Sequence, residues 1–127
     1  MEDYSKQLAL DLFHSGCVKL QTVTLKTGKL SPIYIDLRTL VSYPSIVKRI
    51  SQLFSEHLLG DLQYDVLCGV PYTAIPFATN LSVLIDVPML MKRQETKNYG
   101  TKKMIEGIYT EGQRALIVED IVSSGMQ

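Results

Sequence analysis

At 127 residues the chain is long enough for one small domain with an apolar core of its own. Thirteen lysines and arginines balance thirteen aspartates and glutamates, so global charge gives no reason to expect nucleic acid or a membrane surface as a partner. No apolar run approaches the roughly 20 residues needed to span a bilayer, and the N-terminus MEDYSKQLALDLFHS lacks the basic-then-apolar order of a secretory signal.

Tyr4, Leu8, Leu12 and Phe13 recur at helical spacing and Gly16 offers a stop, which predicts a helix over about 3–15. From Val18 to Asp36 the pattern turns extended, with VKLQTVTL, a turn at TGK and then SPIYID. Pro44 suits the first turn of a second helix, whose apolar face is Ile46, Val47, Ile50, Leu53, Phe54 and Leu58 and which Gly60 ends. DVLCGV is a short, nearly unbroken apolar strand, and PYTAIPFATNLSVLI reads as a loop and a helix. VPMLMKR is a second apolar strand and RALIVED a third. Apolar strands without alternation are buried on both faces, as in a parallel sheet covered by helices. The expected fold class is therefore α/β, a parallel sheet flanked by helices, with an extended N-terminal subregion over 1–40 and the first part of the α/β core over 41–127. Cys17 and Cys68 sit in apolar contexts and are expected to be buried thiols, in keeping with a reducing cytoplasm. His14 and His57 match no ligand spacing, and no metal site formed by the protein alone is expected.

In open parallel sheets ligands bind beyond the carboxyl ends of the strands, so the residues after each apolar strand are the candidates. After DVLCG the chain runs Val70-Pro71-Tyr72-Thr73-Ala74, where Gly69 and small residues let backbone amides approach a ligand and Pro71 stiffens the path. The same stretch also reads as a plain strand-to-helix turn. After VPMLM comes KRQETKNYGTKK, with Lys92, Arg93, Lys97, Lys102 and Lys103 against the single acid Glu95. Such a loop can close over a polyanion and exclude water, or it can be a solvated basic loop. After RALIV come Glu119 and Asp120, then Ile121-Val122-Ser123-Ser124-Gly125. Two acids at a strand end supply acceptors for the two hydroxyls of a ribose, and the small turn offers N–H groups and hydroxyls to a phosphate. It is not a Walker loop, because no Gly-Lys-Ser/Thr follows, and the acids could instead begin a helix. Together the three loops describe a ligand with a phosphate at one end, a ribose in the middle and a more highly charged group under a basic lid. That is the shape of a phosphoribosyl diphosphate.

VEDIVSSG resembles the phosphoribosyl-diphosphate motif of the type I phosphoribosyltransferases. LKTGKLSPIYIDLR is similar to the orotate-site segment of the orotate phosphoribosyltransferase branch, KRQETKNYG to its catalytic loop, and CGVPYTAIP to the form found in animal-type bifunctional UMP synthases. The resemblance runs from about Leu8 to Gly125, with the motifs in the family's order. It implies a type I phosphoribosyltransferase-like fold. It also implies transfer of 5-phosphoribosyl from phosphoribosyl diphosphate to orotate, giving orotidine 5′-phosphate and diphosphate in pyrimidine biosynthesis. By the match, Lys26 lies near the diphosphate, Tyr34 and Ile35 lie against the orotate ring, and Tyr72 and Thr73 fall in the diphosphate loop. Arg93, Gln94, Lys97 and Tyr99 occupy the positions that cover the diphosphate, contributed in this family across a homodimer interface. Glu119 and Asp120 match the ribose-hydroxyl pair. Ile121, Val122, Ser123, Ser124 and Gly125 match the 5′-phosphate cradle, with Ser123 also at an orotate-contacting position. Lys97 and Asp120 are the implied catalytic residues, and Mg²⁺ arrives with the phosphoribosyl diphosphate.

The chemistry so implied is displacement of diphosphate by an orotate nitrogen at the anomeric carbon, through a transition state with oxocarbenium character. Arg93, Lys26, Lys97 and Mg²⁺ neutralise the leaving group, while Glu119 and Asp120 face the positive ring. Single preorganised donors of this kind are worth about 3 kcal/mol, and loop closure limits hydrolysis. Gln94 stands where the family loop usually has a second basic residue, which is expected to weaken activity unless another group compensates, and Asn98 replaces a common aspartate. In the family the chain continues past Gly125 into a helix and further strands, and in the animal-type arrangement into a fused orotidine-5′-phosphate decarboxylase domain. Here Met126 and Gln127 close the sequence, so a partial domain is expected: a short isoform, a gene fragment or a truncated product, weak or inactive alone and with RALIVED left as an exposed edge. Two other readings stay open. A relative acting on a purine base is one, against which SPIYIDLR argues. A non-catalytic binding or regulatory relative is the other, disfavoured by Lys97 and left open by Gln94.

Overall fold

The computed structural model describes residues 2–95, 99–100 and 103–122, and the chain divides into two compact units, Met1–Ile50 and Ser51–Gln127. In the first unit α1 (Glu2–His14) gives way at Gly16, whose φ of +79° only glycine adopts cheaply. Leu8 is the buried residue of its face. Phe13, expected inside with it, is exposed, because position 13 lies 100° round the helix from Leu12 and off the i, i+4 row. Tyr4 donates its hydroxyl to the Arg49 carbonyl at 3.3 Å, and the Arg49 side chain pairs with Asp11. The predicted extended region is an antiparallel hairpin of β1 (Val18–Thr24) and β2 (Leu30–Ile35), with one irregularity between Leu20 and Val23.

α2 (Pro44–Leu53) starts at the predicted proline and runs into a π-helical turn, Phe54–Leu58, closed by the Leu59 N–H donating to the Phe54 carbonyl at 3.1 Å. The wider turn rotates every later residue. Leu59 is therefore buried at 7% exposure, while Leu58, predicted on the apolar face, is 50% exposed.

The second unit holds a four-stranded sheet. β3 (Val66–Gly69) leads through α3 (Ala74–Ile85) to β4 (Met89–Lys92), then come β5 (Ile105–Glu106) and β6 (Ala115–Val118). Their spatial order is β5-β4-β3-β6, with β3 parallel to both β4 and β6 and β5 antiparallel to β4. The three apolar runs are thus the parallel strands they were expected to be. β5 is an addition, since two residues carry too short a pattern to be read. Leu67 packs with Leu59 and Leu81 on one face, where Met89 and Leu116 join them, and Val66, Cys68 and Leu90 pack with Ile105 on the other. Cys17 and Cys68 are free and buried, and burial pushes the Cys68 thiol up. No described helix is long and apolar enough to cross a membrane.

Gly107 lets β5 lie against β4. At its φ of +115°, an added Cβ would meet Leu90 Cδ2 at 2.8 Å and the Met89 carbonyl oxygen at 3.2 Å. Gly107→Ala is expected to destabilise the chain by about 1–3 kcal/mol, read as a lower urea midpoint at unchanged slope. Gly112, at φ +89° with nothing within 4 Å of its Cβ position, is the control: its alanine variant bears the backbone cost without the clash.

Candidate active site

β3 is the point where the chain changes direction in the sheet: α3 carries it from β3 to β4 on one side, and β6 returns to the other side. Open parallel sheets bind ligands in that crevice, outside the carboxyl ends of the strands. The loop leaving β3 there is anchored by the Val70 N–H, which donates to the Val118 carbonyl at 3.0 Å. Gly69 is required by proximity, since its Cβ would stand 3.1 Å from Ala78 Cβ and 3.3 Å from Ile75 Cα. Without a side chain, it allows α3 to begin directly over the strand end. The Pro71–Tyr72 peptide is cis, and Tyr72 is 74% exposed. Thr73 has helical backbone angles and makes no capping bond from its side chain, so it does not claim the first-turn N–H groups of α3.

A cavity of about 420 Å³ opens at this loop, lined among others by Tyr72, Ile75, Met91, Arg93, Gln94 and Glu106. Met89 packs beneath α3 with Leu67, so strand alternation turns Met91 and Arg93 the same way and sets Lys92, also a lining residue, toward the opposite face. The Arg93 N–H continues the β4–β5 ladder to the Met104 carbonyl at 2.7 Å, and Arg93 Nη1 donates to Glu106 Oε1 at 2.5 Å. At the end of β6, Glu119 Oε1 accepts the Asp120 N–H at 3.0 Å, while Oε2 is buried and, among the described residues, has no hydrogen-bond partner. Burial first, and then the neighbouring Asp120 carboxyl, push the Glu119 carboxyl above its ordinary value of 4.5. A buried acceptor without a donor costs roughly 1–3 kcal/mol. A pair of ribose hydroxyls would satisfy it.

In the first unit, Lys26 stands exposed in the turn between β1 and β2. Tyr34 and Ile35 are consecutive on β2, so their side chains leave opposite faces. Tyr34 lies opposite Lys19, and Ile35 opposite Val18; a planar ligand can meet the side chain of only one of them. Arg38 grips Asp36 through Nε (2.7 Å) and Nη2 (2.8 Å) and also donates to the Tyr34 hydroxyl at 3.4 Å. Its guanidinium holds the Asp36 carboxyl below the usual carboxylate range.

The structure thus brings Tyr72, Arg93 and Gln94 to one cavity and sets Thr73, Glu119, Asp120, Ile121 and Val122 at the same carboxyl edge of the second unit's sheet. Lys26, Tyr34 and Ile35 belong to the other unit. Tyr99 is exposed; Lys97, Ser123, Ser124 and Gly125 lie outside the described residues. Ile75 and Glu106 are lining residues that the sequence does not single out. A lone acid before a glycine was the only signal for Glu106, and it gains meaning once β5 is paired with β4.

Residues 37–126, more than half of the chain, match the phosphoribosyl transferase domain, and the chain belongs to that family. Among particular relatives, it is 45% identical over 116 residues to an orotate phosphoribosyltransferase of Caenorhabditis elegans, covering 91% of this chain and 51% of that protein. It is 44% identical over 119 residues to the uridine 5′-monophosphate synthase of Bos taurus, covering 93% of this chain and 25% of the relative. Its structure matches that of Leishmania donovani UMP synthase with a TM-score of 0.83 at 41% identity, over 94% of this chain and 25% of that one. The chain spans about half the length of the first relative and a quarter of the other two. The expected family and the α/β phosphoribosyltransferase-like fold are both borne out.

Proposed function

We propose that this chain carries the donor site and base-site segment of an orotate phosphoribosyltransferase, which transfers 5-phosphoribosyl from phosphoribosyl diphosphate to orotate. The observation that carries the reading is the buried, unpartnered Glu119 Oε2 beside Asp120, at the carboxyl edge that also bears the Tyr72–Arg93 cavity. In this reading Glu119 and Asp120 hold the ribose hydroxyls and stabilise positive charge on the ring. The Tyr72–Thr73 loop, Arg93, Gln94 and Tyr99 surround the diphosphate, and Ile121 to Gly125 take the 5′-phosphate. Tyr34 and Ile35, one through its side chain and the other through its backbone, meet orotate with Ser123, while Lys26 and Lys97 oppose the charge of the leaving diphosphate. Mg²⁺ carried by the diphosphate would add positive charge there. A cytoplasmic homodimer, with a decarboxylase domain in the full-length protein, completes the proposal; that the bovine and Leishmania relatives are about four times the length this chain covers supports a further domain.

Calorimetric titration of the chain with phosphoribosyl diphosphate and Mg²⁺ is expected to show binding, and a blank titration overturns the reading. Lys97→Ala separates an enzyme from a binding relative. Orotidine 5′-phosphate formation should fall by about 100-fold or more with donor affinity nearly unchanged, whereas a binder has no turnover to lose.

A further inference from the structure

We propose that Glu106 is a positioning residue that fixes Arg93 for a phosphate group entering the cavity beside Tyr72. The inference rests on the donor-site reading above and extends it to a residue outside the phosphoribosyl-diphosphate motif. Its basis is the β4–β5 pairing. Met91 stands opposite Glu106 and Lys92 opposite Ile105, and the Arg93 N–H continues the ladder to Met104. Arg93 and Glu106 are therefore diagonal neighbours on one face, a separation that long side chains bridge. The bridge is made, Nη1 to Oε1 at 2.5 Å, with the side chains 30% and 40% exposed. Partial burial screens the pair less than a surface ion pair, and a charge-assisted bond gives direction as well as energy.

An unrestrained arginine samples many rotamers, and ordering it on ligand binding costs side-chain entropy. Glu106 removes part of that cost before the ligand arrives. It takes one nitrogen of a planar group with five N–H donors, and among the described residues the guanidinium has no other partner, so the rest can meet an anion. Gly107 serves the same end, because its missing side chain lets β5 approach β4 closely enough to present Glu106. The opposite reading is a latch, in which Glu106 competes with the anion for Arg93. The two readings predict opposite signs.

The test measures affinity for inorganic diphosphate with Mg²⁺, and separately for ribose 5-phosphate, in the parent chain and in Glu106→Gln, Glu106→Asp, Arg93→Ala and the double variant Glu106→Gln/Arg93→Ala. Glu106→Gln should weaken diphosphate binding about tenfold and leave ribose 5-phosphate within about twofold, with Glu106→Asp in between. Glu106→Gln should add nothing once Arg93 is alanine, since the two act as one unit. Unchanged or tighter diphosphate binding in Glu106→Gln overturns the inference, as do equal losses for both ligands or additive losses in the double variant. A parent chain that binds ribose 5-phosphate but not diphosphate overturns it while the donor-site reading stands. A parent that binds neither, nor phosphoribosyl diphosphate, overturns both.

Discussion

Glu119→Gln should weaken phosphoribosyl diphosphate binding roughly 10- to 100-fold, as expected for losing a charged hydrogen bond worth about 1.5–3 kcal/mol, and should at the same time stabilise the folded chain near neutral pH. The two signs differ because the same carboxyl is costly in the free protein and useful in the complex. Burial, and then the neighbouring Asp120 side chain, raise the Glu119 carboxyl, and among the described residues its Oε2 has no donor. A folded-state value raised above the unfolded one means that the native chain holds this proton more tightly than the unfolded chain does. The associated stability is then fully present below the unfolded value and is lost as pH rises through the folded one. Glu119→Gln removes that titration. Urea unfolding across pH should show parent stability falling as pH climbs from the ordinary carboxyl value of 4.5, with a flatter curve for the variant. Donor binding should behave oppositely in the parent, strengthening as the carboxylate ionises and becomes the acceptor that a hydroxyl needs. A variant that binds as well as the parent would remove Glu119 from the site.

Leu67→Ala should cost about 2–5 kcal/mol, a large share of the roughly 5–15 kcal/mol that holds a small domain folded. Leu67 is 0% exposed on the central strand, between Leu59 and Leu81, with Met89 and Leu116 from the flanking strands against it. Both neighbouring strands register on it directly, Met89 on one side and Leu116 on the other. The cavity left by truncation therefore sits where helix and sheet meet, and neither strand can collapse into it without breaking its ladder. The urea midpoint should fall with little change in slope. A loss below about 1 kcal/mol would show that the site relaxes, at the low end of what core truncations cost. Leu67→Val keeps most of the volume and should cost correspondingly less.

Much of this architecture was legible before any pairing was known. DVLCGV, VPMLMKR and RALIVED announced parallel strands because a strand covered on both faces has few polar positions to spare. The acids and small residues after ALIV pointed to a ribose and a phosphate through composition alone, and a cavity lined by Tyr72 and Arg93 opens beyond two of the strand ends. Patterns that depend on a turn's geometry were less legible. The apolar face drawn through Phe54 and Leu58 assumed an unbroken 3.6-residue period, and one π turn exchanged Leu58 for Leu59.

The sequence by itself determined the three parallel strands and the helix between the first two of them in the α/β core, and to which family the motifs belong. Each of these is written in a local window of residue types. The tertiary structure alone decided that β6 returns to the far side of β3, that Ile105–Glu106 pairs with β4, and that Arg93 meets an acid 13 residues away. It alone left Glu119 Oε2 buried without a donor. Burial leaves its mark on composition at every position it touches, whereas a partner across a sheet leaves no local trace, because the chain between the two is free to vary.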